Sequence, residues 1–157
     1  MPDLEFDLVH ARLILVHLPE REVALAKMVG ALRPAGWLVC EEFDSLSMPA
    51  DPALHPHECM LKTQAAIQRI MAARGANTRY GRDLAARMRT YGLVDIRAEA
   101  RMAMWQGGSA GARLFRANFE QLREEVLRLG LLTHAELDDD LARLDQPAVH
   151  RAGFRQR

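Results

Sequence analysis

Phe6-Asp7-Leu8-Val9-His10-Ala11-Arg12, then His17-Leu18-Pro19 a turn later and Trp37-Leu38-Val39-Cys40 beyond, is the stretch that decides the fold. The first run is apolar but for one acid. The last is uninterrupted, bounded by Pro34 and Gly36 on one side and by Glu41, Glu42 and Asp44 on the other. Both suit buried strands. Between them Leu25, Met28, Val29 and Leu32 fall at i, i+3, i+4, i+7. That apolar stripe needs a sheet to lie on, and Arg33-Pro34-Ala35-Gly36 is placed to end the helix. Strand, helix and strand in this order predict a β-α-β unit, hence a parallel pair joined by a right-handed crossover.

Outward from this unit the alternation of elements continues. Ser45 to Pro56 is rich in Pro, Ser, Asp and His and reads as a loop. Met60, Ile67, Ile70 and Met71 mark a helix closed by Gly75, and Leu84, Met88 and Tyr91 mark a second, with Gly92 as its C-terminal cap. Val94 to Ala100 alternates strictly, as a strand with one wet face does. After Gly107-Gly108, a further helical stripe runs through Phe115, Phe119, Leu122, Val126 and Leu129 to Gly130. Thr133 with Glu136 forms a capping box ahead of Leu137, Leu141 and Leu144, and Pro147 stops that helix. Ala148 to Arg157 reads as a last strand. There is no repeat or low-complexity tract, and no linker splits the chain, so residues 1–157 are expected to form a single domain.

Bulk properties remove several functions. The 21 basic and 21 acidic side chains balance, so no long-range positive field recruits nucleic acid or an anionic membrane. Cys40 and Cys59 are the only cysteines and make no Cys-x-x-Cys pair, which fits a reduced, cytoplasmic setting. The acidic N-terminus has no signal-peptide pattern, and no run approaches the ~20 apolar residues of a membrane span. His55-Pro56-His57-Glu58-Cys59 resembles a metal site at first sight. Adjacent donors in a short proline-bearing loop do not all converge on one ion, so no metal is expected.

Taken together, the first strand with His-Ala-Arg at its end, His17-Leu18-Pro19, Leu32-Arg33-Pro34-Ala35-Gly36-Trp37-Leu38 and Glu41-Glu42-Phe43-Asp44 resemble class I S-adenosylmethionine-dependent methyltransferases, from their fourth strand through their fifth. Tyr80-Gly81-Arg82-Asp83-Leu84, Gly92-Leu93-Val94-Asp95 and Ala152-Gly153-Phe154-Arg155 resemble later helices and strands of small-molecule members. The resemblance implies an α/β fold: a partial Rossmann-like sheet with flanking helices, lacking the family's N-terminal β-α-β-α-β half. One departure is Ala35, where the family usually has a second glycine, and it bears on the turn geometry there.

From the resemblance, His10, Ala11, Arg12 and His17 are expected to line the methionine end of the S-adenosyl-L-methionine site, since ligands of open α/β sheets sit beyond the carboxyl ends of the strands. His17 is also readable as an exposed helix residue, and Arg12 as half of a salt bridge. Glu41, Glu42 and Asp44 stand at the end of the fifth strand, placed to act as a general base or to grip a polar acceptor, with Glu42 and Asp44 the catalytic candidates. Such acids more often cap a loop or a helix start. Helices within about residues 51–91 would, by family analogy, cover the acceptor pocket.

The strongest cofactor determinants of this fold are a glycine-rich turn after the first strand and an acid ending the second. These 157 residues hold neither, and Gly107, Gly108 and Gly111 stand in the wrong context to substitute. Little or no activity is expected from the chain alone. The strand at residues 6–9 is expected to expose an apolar edge that something covers, either a complementing N-terminal half or a second copy of the chain. The alternative to a truncated small-molecule methyltransferase is a non-catalytic interaction protein dimerising through that strand.

Overall fold

The computed structural model describes residues 5–45, 57–101, 103–146 and 150–153. Most of the loop expected at Ser45–Pro56 lies outside them, as do His55, Pro56, Pro147, Phe154 and Arg155. Although no linker marks a boundary, contacts group the chain into two compact units, residues 1–46 with 71–99 and residues 47–70 with 100–157.

The first unit is built on the expected β-α-β. Strand β1 (Phe6–Arg12) leads through a 3₁₀ turn at Leu15–His17 into helix α1 (Arg21–Gly30), and strand β2 (Leu32–Glu41) returns beside β1. The two strands are parallel, with Leu8 against Trp37, His10 against Val39 and Arg12 against Glu41. The helix stops earlier than the apolar stripe suggests. Leu32 is the first strand residue and pairs with Phe6, and the register then breaks before Leu8 meets Trp37. Arg33-Pro34-Ala35-Gly36 forms this irregularity, with Ala35 in the left-handed region at φ 64°.

Strand alternation sorts β1 into two faces. Ala11 is buried and Val9 half-buried, while Leu8, His10 and Arg12 are exposed. The inner face, with Leu38 and Cys40 of β2, packs on a core of Leu15, Leu25, Tyr80 and Leu84, to which α1 adds Met28 and helix α3 (Tyr80–Thr90) adds Met88. On the outer face Leu8 (55%), Trp37 (60%) and Val39 (42%) stay exposed. Among the described residues β1 pairs with β2 alone, so its second edge holds no strand.

The second unit holds most of helix α2 (His57–Ala73), with strand β3 (Ala103–Gln106), helices α4 (Ala110–Arg128) and α5 (His134–Arg143), and strand β4 (His150–Gly153). Its core joins Ala66 and Ile70 of α2, Phe119 and Val126 of α4, and Leu137, Leu141 and Leu144 at α5. Phe115 and Phe119 meet edge to face at 5.9 Å. Thr133 and Glu136 make the expected capping box. The C-terminal strand also forms, antiparallel to β3.

One expectation fails: Val94 to Ala100 forms neither strand nor helix, and Val94 is 82% exposed. An alternating pattern becomes a strand only where a neighbouring backbone completes its hydrogen bonds, and among the described residues none does so there. The strand begins at Ala103 instead, where β4 supplies the partner. Among the described residues no helix is long and apolar enough to cross a membrane.

Candidate functional site

The carboxyl ends of β1 and β2 lie side by side and bring the sequence-predicted residues of the first unit together. Past Arg12 the chain turns sharply at Leu13, whose φ of 53° lies in the left-handed region. This reversal aims three successive backbone N–H groups at one carboxylate. Ile14 and Leu15 donate to Glu42 Oε1 at 3.2 and 2.8 Å, and Val16 donates to Oε2 at 3.3 Å. The orphan donors at the start of the 3₁₀ turn are thus satisfied by an acid from the neighbouring strand. Leu13 N–H adds a bond to the Glu41 carbonyl at 2.8 Å.

Asp44 is held as firmly. Arg82 of α3 approaches it with Nη2 at 2.7 Å and Nε at 3.1 Å, a forked pair in which the carboxylate is only 16% exposed. Gly81 lets that approach happen. Its N–H donates to the Phe43 carbonyl at 3.2 Å, and a β-carbon at this position would stand 2.6 Å from that carbonyl oxygen. Both acids singled out as candidate bases therefore fasten loops, Glu42 to the 3₁₀ turn and Asp44 to α3.

His10 behaves differently. Its Nε2 lies 2.8 Å from Glu41 Oε1, with both side chains about half exposed. Ala11 is 1% exposed and faces the core. Arg12 and His17 are exposed, His17 within the 3₁₀ turn, where its N–H bonds the Ile14 carbonyl at 3.0 Å.

Below the site, Arg21 of α1 ties the turn down. Its Nε donates to the Leu15 carbonyl at 3.2 Å, its Nη2 donates to the Gly75 carbonyl, and its guanidinium lies 5.8 Å from the Tyr80 ring centroid. Burial, followed by the nearby Glu22 carboxylate, pushes the Tyr80 phenol above its ordinary range. Cys40 is pushed up to about 11, by burial first and the Glu42 charge second. Neither group is poised for chemistry at neutral pH.

Gly81, Arg82 and Arg21 were not individually recognisable as site residues, whereas Glu41 was named with Glu42 and Asp44 at the end of the strand. Glu41 had a signal, since a parallel register that sets Arg12 against it places it beside His10. Among the described residues no three His, Cys, Asp or Glu side chains gather to hold a metal ion. His57, Glu58 and Cys59 lie within α2 rather than in a loop.

No family model matches the chain. It is 35% identical over 83 residues to an uncharacterized methyltransferase of Schizosaccharomyces pombe, which covers 53% of this chain and 28% of that protein. It is 30% identical over 79 residues to methyltransferase str2 of Strobilurus tenacellus, covering 50% of this chain and 28% of the relative. A match to methyltransferase str3 of the same fungus is 38% identical over 45 residues, covering 29% and 16%. The matches take in between 16% and 28% of these relatives' own length. They support a methyltransferase affiliation, with which the α/β arrangement of five α-helices and a two-stranded parallel sheet among the described residues is compatible.

Proposed function

We propose that the chain carries the methionine-side wall of an S-adenosyl-L-methionine-dependent small-molecule methyltransferase, built on part of a Rossmann-like sheet. The observation that carries this reading is the paired carboxyl ends of β1 and β2, where Glu42 locks the 13–16 loop into a fixed rim beside His10, Ala11 and Arg12. In open α/β sheets that position holds the ligand. Bound there, the cofactor supplies an activated methyl group. The protein's work is then to orient donor and acceptor and to keep water out, for which a rigid rim of backbone groups is suited. His17 borders the same turn.

Because the adenosine-binding turn and the ribose-binding acid are not among these 157 residues, the chain alone has few fixed contacts for the nucleoside. Calorimetric titration with S-adenosyl-L-methionine is expected to give a dissociation constant no tighter than about millimolar. A micromolar constant would show a complete cofactor site and overturn the half-site reading. Amide spectra recorded at high cofactor concentration are expected to shift at His10 to His17. Shifts elsewhere, or none, would remove the methyltransferase reading for this chain.

Among the described residues the second edge of β1 holds no strand, and Phe6 (46%) and Leu8 (55%) lie exposed on its outer face; both favour a covering neighbour, either a complementing N-terminal half or a second copy. Sedimentation across a wide concentration range tests the second copy: monomer throughout would exclude it.

A further inference from the structure

Leu15 and Val16 commit every backbone group they have. Both N–H groups go to Glu42, the Leu15 carbonyl takes Arg21 Nε at 3.2 Å, and the Val16 carbonyl takes the Asn77 N–H at 2.8 Å. The peptide that joins the two residues is thus bonded at both ends, its C=O to a guanidinium and its N–H to a carboxylate. Turning it breaks a charge-assisted bond on each side. Arg21 also reaches beyond this turn. Its Nη2 donates to the Gly75 carbonyl, just past the end of α2, and Pro19 closes on the same point: a β-carbon at Gly75, whose φ is 83°, would stand 2.7 Å from Pro19 Cγ. From Gly75 the chain runs into α3 and meets the loop after β2. Ser45 N–H donates to the Thr78 carbonyl at 2.9 Å, Gly81 N–H donates to the Phe43 carbonyl at 3.2 Å, and Arg82 pairs with Asp44. Residues 75–82 are therefore fastened to the turn after β1 at one end and to the loop after β2 at the other.

We propose that Arg21 is a positioning residue for the cofactor site: by tying the turn after β1 to residues 75–82, it fixes the spacing of the two loops that flank the ligand position beyond the strand ends. The proposal rests on the methyltransferase reading. Methyl transfer needs donor and acceptor held in line, and a shift of about an ångström between the loops that border them is enough to misalign the reacting atoms. Arginine suits this task where lysine does not. One planar fork serves carbonyls from two segments of chain while lying 5.8 Å from the Tyr80 ring centroid, whereas an ammonium is a point charge on a flexible stem.

Amide hydrogen exchange of the full chain tests this, first without cofactor. In Arg21→Lys the Asn77 and Ser45 amides are expected to exchange about tenfold faster than in the native chain, the factor of one lost charge-assisted hydrogen bond, while the Met88 amide within α3 keeps its rate. Equal acceleration at Met88 would make Arg21 a general stabiliser, and an unchanged rate at Ser45 would show the two loops to be independent. Either result overturns the proposal. S-adenosyl-L-methionine is then added at the concentration that shifts His10 to His17. In the native chain it is expected to slow exchange at Ser45 as well as at Leu15, and in Arg21→Lys at Leu15 alone, a difference that a merely structural role would not produce. Slowing confined to Leu15 in the native chain overturns the proposal whether or not the variant folds. Cofactor shifts without coupled exchange remove only the role given to Arg21. Faster Ser45 exchange in the variant, with no cofactor shifts in the native chain, removes the methyltransferase reading and with it the site that Arg21 would position.

Discussion

Gly81 and Phe43 touch backbone to backbone: a β-carbon added at Gly81 would stand 2.6 Å from the Phe43 carbonyl oxygen and 2.9 Å from its carbon. The obstacle is main chain and has no rotamer by which to withdraw. Gly81→Ala is therefore expected to push α3 off the loop after β2 and to destabilise the first unit by about 1–3 kcal/mol, the usual cost of overpacking. Denaturant unfolding measures the change. A midpoint equal to that of the native chain would show that the contact is looser than its geometry.

Ala35 presents the opposite case. At φ 64° it occupies a conformation that a glycine adopts without strain. The nearest neighbour is Gly36, which is itself confined by the Arg33 and Phe6 carbonyls, so the turn has little room to relax. Ala35→Gly is expected to stabilise the chain by about 0.5–1 kcal/mol, less than the strain relieved because glycine also frees the unfolded state. A lower unfolding midpoint in the variant would count against strain at this turn.

Glu42 reaches across from one strand to order the loop after the other, through bonds spanning 26 to 28 residues of sequence. Glu42→Gln keeps the shape but replaces one acceptor oxygen with a donor that faces backbone N–H groups. The expected loss is about 1–3 kcal/mol, as for other donors left unsatisfied. Hydrogen exchange supplies the local readout: the Leu15 and Val16 amides are expected to exchange faster, with the α5 amides unchanged. Unaltered protection at Leu15 would mean that the turn holds itself.

How much of this was legible in the sequence follows from the range of each interaction. The β-α-β unit and helices α4 and α5 show in local periodicity, and the Thr133 cap shows in a four-residue motif. The irregularity at residues 33–36 reads as a helix end because Pro and Gly mark both, and only the odd alanine at position 35 hinted at a special turn. The strand expected at Val94–Ala100 has the right alternation but no partner among the described residues, and a pattern carries no information about its neighbour. At the site, the residue types were readable and their use was not. Glu42 becomes a loop clasp because Leu13 turns the chain back on itself, and Asp44 becomes an ion-pair partner because Gly81 admits α3.

The capping box of α5 makes the second unit sensitive to acid. Glu136 accepts from the Thr133 backbone N–H at 2.9 Å and hydroxyl at 3.0 Å, and Lys62 Nζ lies 3.0 Å away. These bonds, the backbone one foremost and then Lys62, hold its carboxyl down at about 2 against an ordinary 4.5. A folded-state value below the unfolded one means that the unfolded chain takes up the proton first. The contribution is therefore complete above pH 4.5 and is lost as pH falls through that value toward about 2. Glu136→Gln keeps an acceptor at the cap but cannot titrate. The stability difference between native chain and variant is expected to be constant from neutral pH down to about 5 and to shrink steadily below it, because only the native chain binds a proton on unfolding there. Parallel acid titrations of the two proteins, followed by exchange of the α5 amides, measure that difference. A gap that stayed the same down to pH 2 would place the stabilisation in the shape of the cap rather than in the charge of Glu136.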